Sequence, residues 1–234
     1  MIHVLSAGAC KGLFQTLYPK QLKSGAVQAS FGAVGAMQET LLAGAPCELL
    51  VSTVPLLKSL AEQGWIDEST IQFIGQVCAS IAIADRKPLG SDPDVSTREH
   101  LRANLLAATA IHYPDPLRST AGIHFDKVLN ELGVDATVKS RCHHYANGAF
   151  AMQALAKHAP ALGALQIGCT QASEILYTDG VRIVGPLPAP FELNTGYAAA
   201  LTISGLDSSA ARKMLDYLTG PNSHSLRIRS GFTI

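Results

Sequence analysis

The sequence predicts an α/β fold of two lobes, each a mostly parallel sheet flanked by helices. Three observations carry this expectation. A short apolar strand runs into a small-residue loop that opens a helix at Val4-Leu5-Ser6-Ala7-Gly8-Ala9-Cys10-Lys11, at Ala29-Ser30-Phe31-Gly32-Ala33-Val34-Gly35-Ala36, and again over residues 111–122. Strand and helix patterns alternate along almost the whole chain, which pairs strands in parallel through helical crossovers. The 234 residues exceed one core of the commonest size, roughly 100 to 150 residues, and suit two.

In the first lobe, a strand over 2–6 feeds a helix over 11–23, a strand over 26–31 feeds a helix over 34–42, and a strand over 49–52 feeds a helix over 55–63. A long apolar segment over 71–84 then reaches a turn-rich break over 87–94, where the chain is expected to cross between lobes. Ser96-Thr97-Arg98-Glu99 reads as a capping box opening a helix to residue 106. A strand over 109–112, a helix over 120–132 ended by Gly133, a strand over 137–141, a helix over 147–157, a strand over 165–168 and a short helix from Gln171 complete a second unit of the same kind. After a strand over 181–185, Pro186, Pro188 and Pro190 form a stiff extended connection. A strand over 193–203 and a helix over 207–219 return to the first lobe. The expected division is 1–80 with 192–234 for the first lobe and 81–191 for the second.

Composition narrows the function. Eighteen basic residues balance eighteen acidic ones, and no basic run exists to neutralise a row of phosphates, so nucleic acid is not an expected partner. No apolar stretch approaches the ~20 residues that span a bilayer, which argues against direct membrane insertion. Met1 leads straight into a strand, so the sequence reads as cytoplasmic, or as periplasmic if a signal peptide has been removed. Five cysteines, Cys10, Cys47, Cys78, Cys142 and Cys169, form no CxxC pair. Neither a zinc site nor a disulfide framework is expected.

The strand-to-helix loops present unpaired backbone N–H groups at helix starts, where a small anion is readily held. The pattern resembles the type II periplasmic binding proteins, and within them the molybdate-binding, ABC-transporter-related group of substrate-binding proteins. The resemblance rests on Leu5-Ser6-Ala7-Gly8-Ala9, on Phe31-Gly32-Ala33-Val34-Gly35-Ala36 with Gln38 after it, on the stretch over 43–52, and on Ser119-Thr120-Ala121-Gly122; it reaches residues 210–219. It implies two lobes closing on an anion in a cleft between them, with loop N–H groups and hydroxyls as donors. A membrane permease is implied as partner if the native chain is exported.

That group places a serine in the first loop and another in the second, whereas this chain has Ala9 or Cys10 and Val34. A compact oxoanion would lose donors there, at roughly 1 to 3 kcal/mol per buried group left unpaired. Lys11, Arg118 and the run from Arg141 through His143, His144 and Asn147 supply charged and planar donors instead, which suit several carboxylates of an organic acid. The expected ligand contacts are Ala9, Cys10, Lys11, Gly32, Val34, Gly35, Arg118, Ser119, Thr120, Asn147 and Gln171. Gln171-Ala172-Ser173-Glu174 followed by Val184-Gly185-Pro186-Leu187-Pro188 is similar to a branch of the fold that includes aconitate isomerase.

On that resemblance the alternative to a solute-binding module is a cytoplasmic isomerase that shifts a double bond in an unsaturated polycarboxylate. It would need neither metal nor cofactor. His143 or His144 would titrate near neutral pH as base or acid, with Glu174 a second base. Cys10 at a helix start is an acid or nucleophile in the same reading. The plainer readings are that Lys11 is a solvated first-turn residue, that Cys10 and the other cysteines are packing, and that Glu174 is a first-turn carboxylate complementing a helix dipole.

Overall fold

The computed structural model describes residues 1–85, 92–157 and 164–234. The chain folds as two compact α/β units, Met1–Val77 with Thr195–Ile234, and Cys78–Asn194. The elements in chain order are β1 (Ile2–Ala7), α1 (Lys11–Leu17), α2 (Pro19–Ser24), β2 (Val27–Gly32), α3 (Val34–Leu42), β3 (Leu49–Thr53), α4 (Val54–Glu62), β4 (Gln72–Ala84), α5 (Arg98–Ala107), β5 (Ala110–Pro114), α6 (Thr120–Glu131), α7 (Asp135–Val138), β6 (Cys142–Tyr145), α8 (Gly148–Lys157), β7 (Gln166–Gln171), α9 (Ala172–Tyr177), β8 (Val181–Pro186), β9 (Asn194–Leu201), α10 (Ser209–Thr219) and α11 (His224–Arg229).

In the first unit the strand order is β2-β1-β3-β9, with the first three parallel and β9 antiparallel to β3. All five residues of β3 are buried, as a parallel strand covered on both faces requires. On one face Leu5, Leu50, Ala198 and Ala200 pack against Leu41, Leu57 and Leu60. Phe14 of α1 is fully buried and meets Phe31 edge-on at 5.7 Å. Arg227 of α11 donates to the Ile74 carbonyl at 2.7 Å and to that of Gly220 at 3.1 Å.

In the second unit β7, β5 and β6 run parallel in that order, and β4 lies antiparallel to both β7 and β8. One core joins Ile111 and Tyr113 of β5 to Phe125, Val128 and Leu129 of α6 and to Leu101 and Leu105 of α5. A second, beneath α8, joins Ala151, Met152 and Leu155 to Ala82 and Ile175.

Several expectations change. The helix over 11–23 is two helices, broken at Tyr18 (φ −127°, ψ 40°), because the residue before a proline is driven out of the helical region. The cap of α5 is Thr97, whose hydroxyl accepts from the His100 N–H at 3.1 Å, so Ser96 is not the capping residue. The strand expected over 137–141 is instead α7 followed by a 3-10 turn over Lys139–Arg141. Val134 and Val138, four residues apart and both buried in the α5–α6 core, hold a helical turn against the β-branched preference of that stretch. The true strand is β6, which carries both histidines. Most of the expected break over 87–94 lies outside the described residues.

Gly122 sits where the first turn of α6 presses on the end of β5. A Cβ there would overlap the carbonyl oxygens of Pro114 and Asp115. Gly122→Ala should therefore cost about 1–3 kcal/mol by overpacking, read from urea unfolding; an unchanged midpoint and slope would show that this approach is slack.

Candidate functional site

In the first unit Ala7 of β1 pairs with Gly32 of β2, so the loops after these strands begin side by side at one sheet edge. Ala9 and Cys10 are buried in the 3-10 turn before α1, and Lys11 is the half-buried first residue of that helix. Gly32 is buried at the end of β2, with Val34 and Gly35 half-buried at the start of α3. Cys10, Ala33 and Thr53, the residues before α1, α3 and α4, provide no side-chain cap. By contrast Thr97, Ser119 and Ser208 accept N–H bonds at the starts of α5, α6 and α10. First-turn N–H groups lack intrahelical partners; at α1 the Lys11 N–H already donates to the Gly8 carbonyl, so the donors gathered at this edge are those of α3 and α4.

In the second unit Pro114 of β5 pairs with Tyr145 of β6, and His112 with Gly168 of β7, which brings the three following loops to a common edge. Arg118 is exposed and Thr120 half-buried. Ser119 caps α6 through a long 3.5 Å bond from the Gly122 N–H. The Asp115 carboxylate accepts from the Leu117 N–H at 2.7 Å, shaping the loop around Arg118. Asn147 caps α8, its side-chain oxygen accepting from the Phe150 N–H at 3.0 Å. Gln171 is buried at the end of β7 and precedes α9. The expected ligand contacts therefore form two groups, one at the strand-end edge of each unit.

Because β6 is extended, its adjacent histidines face opposite sides. His143 stacks on His112 with ring centroids 5.3 Å apart, while His144 meets Tyr113 edge-on at 4.5 Å. Both are exposed. His112 is fully buried and its Nδ1 lies 2.9 Å from the Tyr145 hydroxyl. Burial pushes that phenol above its usual value, so it keeps its proton. Sequence reasoning did not single out His112 or Tyr145, since their link exists only once β5 and β6 pair. Arg141, read as a charged donor to ligand, instead donates to the Leu106 carbonyl at 3.0 Å and to that of Ala108. It closes the C-terminal end of α5, where orphan carbonyls attract a cation.

Glu174 lies in the protein interior, 5% exposed. Its Oε2 accepts from the Thr170 hydroxyl at 2.6 Å, and the carboxyl also faces the backbone N–H groups of Ala149, Gly148 and Gln171. A Cβ on Gly148 would overlap both Thr170 Oγ1 and Glu174 Oε2. Among the described residues no three His, Cys, Asp or Glu side chains gather as a metal site, and no helix is long and apolar enough to cross a membrane.

Burial raises the Glu174 carboxyl above its usual 4.5, against the pull of its four donors. A carboxyl raised on folding holds its proton more tightly in the folded state, so its contribution to stability is greatest below 4.5 and declines as pH rises through the higher folded value. The melting temperature of the wild type relative to Glu174→Gln should accordingly fall as pH rises from acid to neutral. A difference that grows with pH would mean that the hydrogen bonds outweigh burial.

Comparison with known proteins accords with this architecture. The chain is 24% identical over 228 residues to the aconitate isomerase of a Pseudomonas species, covering 94% of this chain and 82% of that protein. It is likewise 24% identical over 225 residues to the molybdate-binding protein ModA of Escherichia coli K12, covering 92% and 81%. The periplasmic molybdate-binding protein of Azotobacter vinelandii shares the fold with a TM-score of 0.75 at 18% identity, over 100% of this chain and 99% of that one. Both resemblances read from the sequence, to the molybdate-binding group and to the aconitate isomerase branch, thus recur among its relatives. The family described as bacterial extracellular solute-binding protein matches residues 2–233, and the chain belongs to it.

Proposed function

We propose that this protein binds a small anion through the backbone donors at its strand-end edges, as an exported solute-binding protein that hands its ligand to a membrane permease. The observation that carries this reading is the pair of uncapped starts of α3 and α4, which follow parallel strands β2 and β3 to the same edge. A helix start without its own cap is a ready anion site. Lys11 at the first unit's edge and Arg118 at the second's add charge. The family's description as extracellular favours export over the cytoplasmic expectation.

The ligand we infer is an organic polycarboxylate, with a tetrahedral oxoanion as the other member of the class. Each edge carries a charged donor, Lys11 in the first unit and the exposed Arg118 in the second, and such donors suit the carboxylates of an organic acid. The neighbouring Leu117 is 84% exposed and offers apolar contact to such an acid. Two relatives bracket the choice, one named for molybdate and one for aconitate. The aconitate isomerase relative together with the exposed His143 and His144 supports a second reading, proton transfer on an unsaturated polycarboxylate with one of these histidines as base.

Thermal unfolding against molybdate, tungstate, sulfate, citrate, and cis- and trans-aconitate tests both. At about 100 times Kd a specific anion adds ~2.7 kcal/mol, raising Tm by roughly 5–10 °C for a chain of this size. Lys11→Ala should weaken an anion held at the first unit's edge about tenfold, and Arg118→Ala one held at the second's, each by the loss of one charge-assisted hydrogen bond. A response confined to molybdate or tungstate would overturn the polycarboxylate assignment. Interconversion of the aconitates, lost in His143→Ala or His144→Ala, would establish the isomerase reading.

A further inference from the structure

We propose that Glu174 is a positioning residue for the second unit's binding edge, an internal carboxylate seated in the N-terminus of α8 that ties the loop before α8 to the loop before α9. The inference rests on the proposed anion-binding function and deepens it, since it says where in this unit the solute does not bind and what holds the donors that remain.

Three observations on separate atoms converge. The carboxylate is buried beside the first residues of α8 and accepts from the Thr170 hydroxyl at 2.6 Å. Its backbone donors belong to two loops: Gly148 and Ala149 open α8, while Gln171 is the residue before α9. The next first-turn group of α8, the Phe150 N–H, goes to Asn147. The N-terminus of α8 is thereby closed by the chain itself, whereas helix ends of this kind elsewhere take anions from solution. Gly148 completes the seat, because any side chain there would displace the carboxylate and the Thr170 hydroxyl.

Residue 174 is also the third residue of α9, and a glutamate there reaches back to the N–H of the residue before its helix. Its second set of bonds, to α8, turns an ordinary cap into a cross-link between loops. Asn147 lies on one side of that link and Gln171 on the other, and both are among the residues expected to contact solute. Fixing both backbones before solute arrives lowers the ordering cost of binding.

The test is Glu174→Ala with formate as the probe of the vacated seat. Without solute, Tm should fall by roughly 5–10 °C as buried donors lose their partner. Formate at tens of millimolar should restore most of that loss in the variant and leave the wild type unmoved. An unchanged Tm, or no recovery with formate, overturns the seat. With the anion that stabilises the wild type in the panel above, the folded variant should bind about tenfold more weakly, and formate should recover affinity. Affinity equal to wild type overturns the positioning role. Should Glu174→Ala fail to fold, Thr170→Val removes one donor and leaves the carboxylate in place. Weaker binding of the same anion by a folded Thr170→Val supports the proposal, and unchanged binding overturns it. The melting comparison needs no solute, so it reports on the seat even if no panel anion binds and the anion-binding reading fails.

Discussion

A parallel strand that runs directly into a helix delivers the unpaired first-turn N–H groups of that helix to one edge of the sheet, and the rest of this molecule is arranged around what is done with them. Each such group must find an acceptor from its own chain, from water or from a guest. At the starts of α5 and α10 the chain supplies the acceptor itself, through Thr97 and Ser208. At α3 and α4 no side chain caps the helix, and both follow strands that run parallel to β1, one on each side of it. Open donors are concentrated where the topology of an α/β sheet places ligand sites, outside the carboxyl ends of its strands.

The second unit solves the same problem differently. Its three parallel strands lead to helices that are each closed in some way: α6 by the long bond to Ser119, α8 by Asn147, α9 by Glu174, whose carboxylate also serves α8. Rigidity accompanies closure. Gly122 lets α6 rest on the carbonyls at the end of β5, and Gly168 makes room beneath α8 for Met152 and Leu155. Loops held this tightly against strand ends present fixed donors, and a fixed donor is worth more to a ligand than one that must be ordered on binding.

Much of this was legible in the residues. The helix over 34–42 coincides with α3, because small residues after an apolar strand and a following apolar period are local signals. The start of α6 at Thr120 was expected too, and the structure adds that Ser119 caps it. The strand expected over 137–141 failed because Val134 and Val138 are drawn into a core supplied by α5 and α6, which no window of neighbouring residues contains. Arg141 was misread for the same reason, as its acceptors, the carbonyls of Leu106 and Ala108, lie far back in the chain.

By itself the sequence determined the alternation of strand and helix, the family, and the loops that carry small residues and charge, since each depends on side chains within one turn or one strand of each other. Only the tertiary structure decided which of those loops keep their donors open. Whether an N–H at a helix start faces solvent or a buried carboxylate depends on what another strand or helix brings beside it. Glu174 reads locally as the first-turn acid of α9; that it also closes α8 follows from the pairing of β5 with β6 and β7 and the packing of α8 over them, contacts between residues far apart in the chain.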